Sequence, residues 1–350
     1  MKKKIIILST VLIVLGAIIV LGILGFKAYD SIRYSDFYDI ANAEFYIPDL
    51  MDGFVPQGFD YLEKEHAFIA CGYMSNGEAS RIYVIDKDGD SYYYTELRQT
   101  DINVAYTGHT GGIAYYGDYV YVTGSDGVDV FDLSVILDKN VKQAPKLATV
   151  DTSKYGVDPA YCFVYEDELF VGAFHKDGDY NTPTEHHLGD NRALMLSFPL
   201  SARFKDTNYY VNPTPSAMFS MPSYVQGVAI AEHSGIEDGK AVTKTSMILS
   251  TSWGFNPSNL YVHDLTGENG VLSKVNSDFS KQYGVTAPLY TVGADSLVDT
   301  IEAPPMSEEI VYLDGKIWIF NESACNKYIF GKFTTGNYLY SVEYPLTLKD

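Results

Sequence analysis

The chain has 350 residues, of which 46% are hydrophobic and 14% aromatic, and its formal net charge is −20 at pH 7. Nucleic acids and anionic membrane surfaces attract clustered lysine and arginine, so this composition argues against binding to either by charge. It is compatible with a soluble external domain and with divalent cations, and the length allows one large β domain or two small ones.

The N-terminus predicts a membrane anchor. A basic tail at residues 1–4 precedes an apolar run at 5–26, which is long enough to cross a bilayer as a helix. By the positive-inside rule the lysines place the tail in the cytoplasm and the rest of the chain outside, at the cell surface. A cleaved signal peptide is the alternative, but residues 24–29 form a poor cleavage site. We predict a cytoplasmic tail at 1–4, a single-pass transmembrane signal anchor at 5–26, a tether at 27–43 and an extracytoplasmic domain at 44–350.

After the tether, the chain repeats an order of elements rather than a set of residues. Each unit has a polar, mostly glycine-containing start, a β-run, a tight turn, a second and a third β-run, and a weaker fourth. Five units begin in turn at Val55, His109, Asp158, Val225 and Ser307. A period of about fifty residues is typical of four-stranded propeller blades. The sequence therefore predicts an all-β fold, a five-bladed β-propeller; the competing β-sandwich would not repeat this order five times.

Three segments bear on how the ring closes. Residues 44–54 are expected to supply the outer strand of the last blade. In the fifth unit, residues 327–331 are predicted to form the third strand. The stretch 268–300 is interpreted either as a polar outer strand or as an insertion.

The chain has three cysteines, Cys71, Cys162 and Cys325, in or beside strand-like runs. An odd number cannot form a full disulfide framework, so three buried free thiols are favoured. One bridge between Cys71 and Cys325 is the alternative, because the first and last blades of a ring are neighbours. The spacing predicts no zinc site.

Polar residues fall where a propeller would place a site. Loops that lead into the innermost strands share one face with the loops between the second and third strands, around the mouth of the central channel. The first set of loops contributes Gln57, His109, Thr110, Asp158, Tyr161, Gln226, Glu308 and Glu309. The second set contributes Tyr73, Trp253, Asn321 and Glu322.

Such a ring of amides, carboxylates and histidine suits a small polar ligand or a bound cation. Calcium takes carboxylate, amide and carbonyl oxygens, so calcium is the candidate cofactor, with Glu309 and Asp158 as candidate ligands. The alternative is that these side chains only hydrogen-bond neighbouring blades or hold water in the channel.

Segments 54–58, 109–122 and 307–318 resemble blade starts of the plant-type glutaminyl cyclases, a family of five-bladed β-propellers that cyclises N-terminal glutamine. In the third segment Glu309 falls on the first glutamate of an Asn-Glu-Leu-Glu-Tyr pattern. Glu308 replaces the asparagine there, and Val311 replaces the second glutamate. The resemblance implies the propeller fold and leaves Glu308 and Glu309 as the acidic candidates for the family's chemistry.

The leading functional prediction is a membrane-anchored binding module that holds a small molecule, glycan or peptide at the mouth. The alternative is an extracytoplasmic enzyme, for cyclase-like acyl transfer or calcium-dependent hydrolysis. Glu309 or Glu308 would then be the acid/base, His109 a proton shuttle, and Gln57 with Gln226 would orient the substrate. A third hypothesis is a structural propeller that contacts partners through its edges. No nucleophile elbow, Walker loop or H-E-x-x-H motif occurs.

Overall fold

The computed structural model describes residues 2–237, 240–265, 273–275, 282–331 and 334–344. It begins with the long helix α1 (Lys2–Arg33). Within the described ranges, Ser9–Arg33 of this helix is the one segment long and apolar enough to cross a membrane as a helix, with a mean hydropathy of 2.7. By length and composition it fits either a membrane span or a signal sequence.

The segment predicted as a tether is ordered. It contains the end of α1, the short helix α2 (Ser35–Ile40) and the start of strand β1 (Ala41–Tyr46). Tyr34 and Phe37 are buried in a cluster with Ile317 and Tyr340. Burial of these aromatic side chains holds the segment against the propeller. The first strand begins at Ala41, three residues before the predicted start of the domain at residue 44.

Blades 1 and 2 follow along the chain. Blade 1 is built from β2 (Phe54–Leu62), β3 (Ala67–Met74), β4 (Arg81–Asp86) and β5 (Tyr92–Arg98). Blade 2 starts with β6 (Ile113–Tyr116), β7 (Tyr119–Thr123) and β8 (Gly127–Asp132) and continues through α3 (Leu133–Leu137). Strand β9 (Gln143–Pro145) then pairs in parallel with β5 of blade 1 before β10 (Ala148–Asp151) completes blade 2.

Blades 3 and 4 carry the insertions. Blade 3 contains β11 (Pro159–Tyr165), β12 (Glu168–Ala173), β13 (Ala193–Pro199), helix α4 (Lys205–Asn208) and β14 (Ala217–Met221). Blade 4 begins with β15 (Val225–Glu237), β16 (Lys240–Thr251) and β17 (Ser258–Asp264). Strands β18 (Ser273–Val275) and β19 (Leu289–Thr291) then extend the sheet of blade 3, and β20 (Leu297–Ala303) is the outer strand of blade 4.

The stretch 268–300 therefore contains both an insertion and part of an outer strand, the two alternatives that the sequence left open. Its described part supplies two added strands to blade 3 and most of the outer strand of blade 4. Residues 268–272 and 276–281 of that prediction lie outside the described residues.

Blade 5 closes the ring with strands from both ends of the chain. It contains β21 (Ser307–Leu313), β22 (Lys316–Asn321) and β23 (Tyr338–Glu343), and β1 pairs antiparallel with β23 as the outer strand. The N-terminal outer strand is thus confirmed, shifted toward Ala41. The innermost strands β2, β6, β11, β15 and β21 contact one another in that order, and β21 returns to β2. The protein is a five-bladed β-propeller.

The prediction of a strand at residues 327–331 is wrong. This segment lies in the loop between β22 and β23. It folds back on the start of the loop, because the Tyr328 hydroxyl donates to Glu322 and Gly331 lies directly against the Ser323 carbonyl. The third strand of the blade is β23, seven residues farther on.

The three cysteines are free and buried, as predicted, and no bridge joins Cys71 to Cys325. The core consists of apolar clusters between blades, the largest centred on blade 3 and its neighbours.

Candidate functional site

Four of the five innermost strands contain a β-bulge at the same level of the channel. In β2 the pairs Pro56–Gly72 and Gly58–Cys71 leave Gln57 as the extra residue. The corresponding extra residues are Ala160 in β11, Gln226 in β15 and one of Glu308 and Glu309 in β21. A bulge breaks the alternation of side chains and re-aims one of them. This local irregularity places polar side chains at the mouth of an otherwise apolar set of strands.

The mouth cluster, as we name it, is a group of polar and aromatic side chains from blades 1, 2 and 5. Gln57 and Glu308 come from innermost strands, and the remaining residues come from the adjoining loops or, for Tyr73, from the end of β3. Its members are Gln57, Tyr73, His109, Glu308, Glu322, Lys327 and Tyr328.

Glu322 is the hydrogen-bonding centre of the mouth cluster. Gln57 Nε2 donates to Glu322 Oε2 at 2.8 Å, and the Tyr328 hydroxyl donates to Glu322 Oε1 at 2.7 Å. The first bond joins blade 1 to blade 5, and the second lies within the β22–β23 loop of blade 5. Burial raises the pKa of Glu322, against the favourable effects of Tyr328, Lys327 and Gln57 on its charged form.

Glu308 lies beside this network, and its side chain is 2% exposed. Within the described part of the chain no side chain or amide donates a hydrogen bond to its carboxyl group. Burial raises the pKa of Glu308 well above its usual value, and the neighbouring carboxyl groups of Glu322 and Glu309 raise it further. A buried carboxyl group without a donor is suited to a ligand or water that supplies one.

The rim of the mouth cluster is aromatic and carries one lysine. The rings of Tyr73 and His109 lie 4.8 Å apart between centroids. Lys327 Nζ bonds to the Tyr73 hydroxyl and lies 5.1 Å from the Tyr328 ring centroid. His109 is exposed at the rim, and the protein atoms on one side of it, followed by the charge of Lys327, lower the pKa of its imidazole. His109 is therefore a neutral hydrogen-bonding group at physiological pH.

Below the mouth cluster, neighbouring innermost strands approach each other closely at a level that we call the neck, formed by Gly58, Gly112, Gly227 and Glu309. A Cβ on Gly112 would lie 2.5 Å from Cys162 N, and one on Gly227 would lie 2.5 Å from Glu309 Cα. Backbones of adjacent blades are thus in direct contact here, which only glycine permits.

The carboxyl group of Glu309 closes the neck. Its Oε2 accepts hydrogen bonds from the backbone amides of Phe59 at 2.9 Å and Ile113 at 3.0 Å, while Oε1 is buried without a partner. Burial nevertheless raises the pKa of Glu309 well above its usual value. Glu309 thus links blade 5 to blades 1 and 2. Its Oε2 atom is already hydrogen-bonded to two backbone amides.

A second aromatic group lies on the same face, in the loops of blades 3 and 4. Trp253 contacts Phe174 and Tyr180, each at 5.9 Å between ring centroids, and Tyr224 lies 6.0 Å from Phe174. Lys176 Nζ lies 4.6 Å from the Trp253 ring. Tyr180 and Tyr224 are exposed, so this group presents ring surface to solvent.

The other predicted site residues lie outside the mouth cluster. Thr110 is buried and bonds to the His109 carbonyl, Asn321 is buried beside the Ile319 carbonyl, and Tyr161 is completely buried in the core. Gln226 is partly exposed at its bulge. Asp158 is exposed, and its pKa is raised by partial burial and by the neighbouring Asp126.

The two candidate calcium ligands therefore have different surroundings. Glu309 accepts from backbone amides, whereas Asp158 lies near the carboxylate of Asp126. Over the described residues, no group of three or more His, Cys, Asp and Glu side chains is arranged to hold a metal ion. Calcium binding stays a prediction.

Sequence reasoning missed Lys327 and Tyr328 because it placed them in a strand. The available signal was their position: they follow Asn321 and Glu322 in a loop that opens on the mouth.

Helix α1 ends on this same face. The buried Asp30 carboxylate accepts from the Tyr38 hydroxyl at 2.7 Å and from Thr335 at 3.2 Å, and Arg33 pairs with Glu302. A cavity of about 420 Å³ separates the end of α1 from Phe255, Pro305 and Phe330. Those three residues belong to loops between second and third strands or to the loop leading into β21, and such loops surround the mouth.

The chain matches no protein-family model and no curated protein. Solved structures to which it is similar include hydrazine synthase of Kuenenia stuttgartiensis, BamB of Moraxella catarrhalis and AztD of Citrobacter koseri. Their identities are 10%, 8% and 9%, and their TM-scores are 0.35, 0.32 and 0.29. The alignments cover 81%, 83% and 76% of this chain, and 90%, 84% and 80% of the respective other chains. Likenesses at this level carry no argument about function.

Proposed function

We propose that the protein is a membrane-anchored extracytoplasmic propeller that binds a small polar ligand at its mouth, with a glycan as the best chemical fit. The observation that carries the proposal is the Glu308 carboxyl group, almost completely buried and without a donor among the described residues, beside the Gln57–Glu322–Tyr328 network. A ligand hydroxyl group can donate to Glu308, while Gln57 and His109 offer further polar contacts.

Aromatic surface on the same face supports a glycan over a simple ion. Sugar rings present C–H faces that pack on aromatic rings and hydroxyl edges that need hydrogen bonds. The Tyr73–His109 pair borders the polar cluster, and the Trp253 group offers exposed rings in the neighbouring blades. Both kinds of contact would be met by one extended ligand.

The position of α1 supports a mouth that faces the membrane. Its last turns bond to Thr335 of one mouth loop through Asp30 and face Phe255 and Phe330 across the cavity. Phe255, Ile329 and Phe330 are 48%, 68% and 63% exposed. With α1 in the bilayer, these apolar residues would lie near the interface, where aromatic side chains are favoured. The ligand would then be one found close to the membrane surface.

Binding to an oligosaccharide array, followed by calorimetry with the best ligand, tests the proposal on the full chain in nanodiscs. Glu308→Gln should weaken binding several-fold, because a ligand hydroxyl group that donates to Glu308 favours its ionised form and a hydrogen bond to a charged group contributes about 1.5–3 kcal/mol, part of which offsets the cost of ionising the buried carboxyl group. The control Glu185→Gln changes an exposed carboxylate of the same face, outside the mouth cluster, and should leave binding unchanged. An array without any bound sugar, or equal effects of both variants, would contradict the proposal.

The raised pKa values of Glu308 and Glu322 favour one alternative, an acid/base enzyme at the same mouth. For cyclase-like acyl transfer, Glu308 would exchange protons with the N-terminal amine and the leaving ammonia of a glutaminyl peptide. Ammonia release from such a peptide, lost in Glu308→Gln, would support this alternative. A calcium-dependent hydrolase would instead lose thermal stability in EDTA and recover it with calcium.

A further inference from the structure

The channel has a second opening, opposite the mouth, and it holds a separate cavity of about 380 Å³. We call this cavity the lower pocket. Its walls are residues from all five innermost strands, from the C-terminal halves of β2, β6, β11 and β21 and from residues 228–230 of β15. The neck, with Glu309 across it, lies between this cavity and the mouth cluster. The lower pocket is therefore formed by the ring itself and not by a surface loop.

The lining residues include two carboxylic acids, Asp60 within strand β2 and Glu63 just after it. Asp60 Oδ1 accepts from the Tyr61 amide at 2.8 Å and Asp60 Oδ2 from the Tyr115 amide at 3.3 Å. Each oxygen keeps a lone pair, and the side chain is only partly buried, so the carboxyl group remains accessible from the cavity. Burial, and then the nearby Glu63, raise the pKa of Asp60 to about 7. A cation in the pocket would favour its ionised form.

The remaining walls are mainly aromatic and aliphatic. The hydroxyl groups of Tyr165 and Tyr312 donate to the side-chain and backbone oxygens of Glu232, at 3.0 Å and 2.7 Å. The Tyr116 hydroxyl donates to Asp167 at 2.8 Å. With these hydroxyl groups engaged at the rim, the tyrosines present mostly ring carbon to the cavity.

The charges around the rim are mostly negative. Glu63 lines the pocket, and Glu232 and Asp167 hold its tyrosines. Lys87 lies 5.5 Å from the Tyr61 ring, but it is paired with Asp314 at 2.5 Å. An anion would meet this acidic rim and a carboxyl group inside, whereas a cation would be attracted by both.

We propose that the lower pocket binds an organic cation, a substituted ammonium group, with the Asp60 carboxylate as its counter-ion and the tyrosine rings against its alkyl groups. Aromatic faces attract ammonium ions, and the attraction grows where water is excluded. The cavity volume lies within the range of small-molecule sites. This site is independent of the ligand proposed for the mouth.

The experiment compares choline with 3,3-dimethylbutan-1-ol, its neutral isostere, by titration calorimetry on the full chain in detergent. Choline should bind and the neutral isostere should bind at least tenfold more weakly. Asp60→Asn removes the charge and keeps one of the two acceptor oxygens, and it should weaken choline binding by about tenfold or more. Ile230→Phe changes a different wall of the pocket and leaves its charge unchanged. The larger side chain should fill part of the cavity and abolish choline binding.

Two controls establish whether choline binds in the lower pocket or at the mouth. Glu308→Gln, in the mouth cluster, should leave choline binding unchanged, and circular dichroism should show that both pocket variants are folded. Equal binding of choline and its isostere, no binding of choline to the wild-type chain, or loss of binding in Glu308→Gln with retention in Asp60→Asn would each overturn the proposal.

Discussion

Buried carboxyl groups dominate the chemistry of this channel at the scale of single residues. The carboxyl groups of Glu308, Glu309 and Glu322 are close to one another in space, and burial raises the pKa of each. In the unfolded chain such groups titrate near pH 4.5. Between that pH and the higher folded-state pKa, the folded protein binds more protons than the unfolded chain. The contribution of these groups to the free energy of unfolding therefore falls as the pH rises above about 4.5.

The variant Glu308→Gln should remove one part of this pH dependence. At pH 7.5 the variant should be more stable than the wild type, by about 1.4 kcal/mol for each unit by which folding raises the pKa of Glu308. At pH 4.5 the difference should be small, because Glu308 is then neutral in the folded protein and only half ionised in the unfolded chain. Calorimetric melting of the two proteins at the two pH values measures this.

Comparison with Glu185→Gln controls for the loss of one negative charge from the molecule. If Glu308→Gln is stabilising to the same degree at both pH values, the carboxyl group is not held protonated by burial.

At the scale of elements, the neck depends on glycine where inner strands touch. Gly112 in front of β6 and Gly227 in β15 leave no room for a side chain, as their 2.5 Å approach to neighbouring backbone shows. Backbone atoms cannot move aside as a flexible side chain can. These glycines therefore set how closely blades 2 and 3, and blades 4 and 5, pack together.

Gly112→Ala should destabilise the protein by about 1–3 kcal/mol or more, since overpacking forces the two strands apart. The matched control is Gly293→Ala, where the nearest atom to the new Cβ is Thr291 Cγ2 at 4.0 Å. Urea unfolding followed by tyrosine fluorescence gives both values. A Gly112→Ala protein as stable as the control would mean that the ring widens freely.

Sequence patterns predicted the five blades because each innermost strand starts with a similar polar and mostly glycine-containing segment. They also predicted that Gln57, Tyr73, His109, Glu308 and Glu322 would converge, since these residues precede or follow strands at one end of the ring. They failed for residues 327–331, whose run Tyr328-Ile329-Phe330 has the composition of a strand. Only competition for pairing with β22, which Tyr338–Glu343 wins, decides between the two segments.

The lower pocket shows a second limit of sequence reasoning. Asp60 lies within a strand of apolar character, and nothing local distinguishes it from a residue on a solvated face. Its position in a cavity follows from the bulge at Gln57, which changes the direction of the side chains that follow. Bulges of this kind depend on contacts between blades and leave little trace in the residue pattern.

At the scale of the whole molecule, the ring is closed by noncovalent pairing of β1 with β23. Five strand pairings join residues 41–46 to 338–342, and the Tyr46 and Tyr338 rings lie 4.2 Å apart. Without β1, the edge of β23 and the apolar side chains beneath it would be exposed.

A chain starting at residue 47 should therefore melt at least about 10 °C below a chain starting at residue 30, or aggregate. The longer chain keeps Asp30, α2 and β1 and removes only residues 1–29, which form most of α1. Differential scanning calorimetry of the two chains in the same buffer tests this. Equal melting temperatures would show that β1 contributes little to ring closure.

The proposed orientation of the mouth toward the membrane predicts a spectroscopic result. The chain has two tryptophans: Trp253 lies in the same mouth loop as Phe255, and Trp318 is buried in the core. In nanodiscs made with brominated lipids, Trp253 fluorescence should be quenched, since heavy-atom quenching requires close approach.

The variant Trp253→Phe, which retains Trp318, serves as the control and should show little quenching. Equal fluorescence of the wild type in brominated and ordinary lipids would place the mouth away from the bilayer.

The short, ordered connection between α1 and the propeller affects which ligands the protein can encounter. Asp30 accepts from Thr335, Arg33 pairs with Glu302 and Tyr34 is buried in the core, so the end of α1 is fixed to the propeller. With α1 in the bilayer, as proposed, the domain would stay next to the membrane. An anchored receptor of this build would sample a thin layer next to the bilayer, by lateral diffusion in two dimensions. Affinity measured in free solution would then understate occupancy for any ligand confined to that layer, because confinement raises its effective concentration.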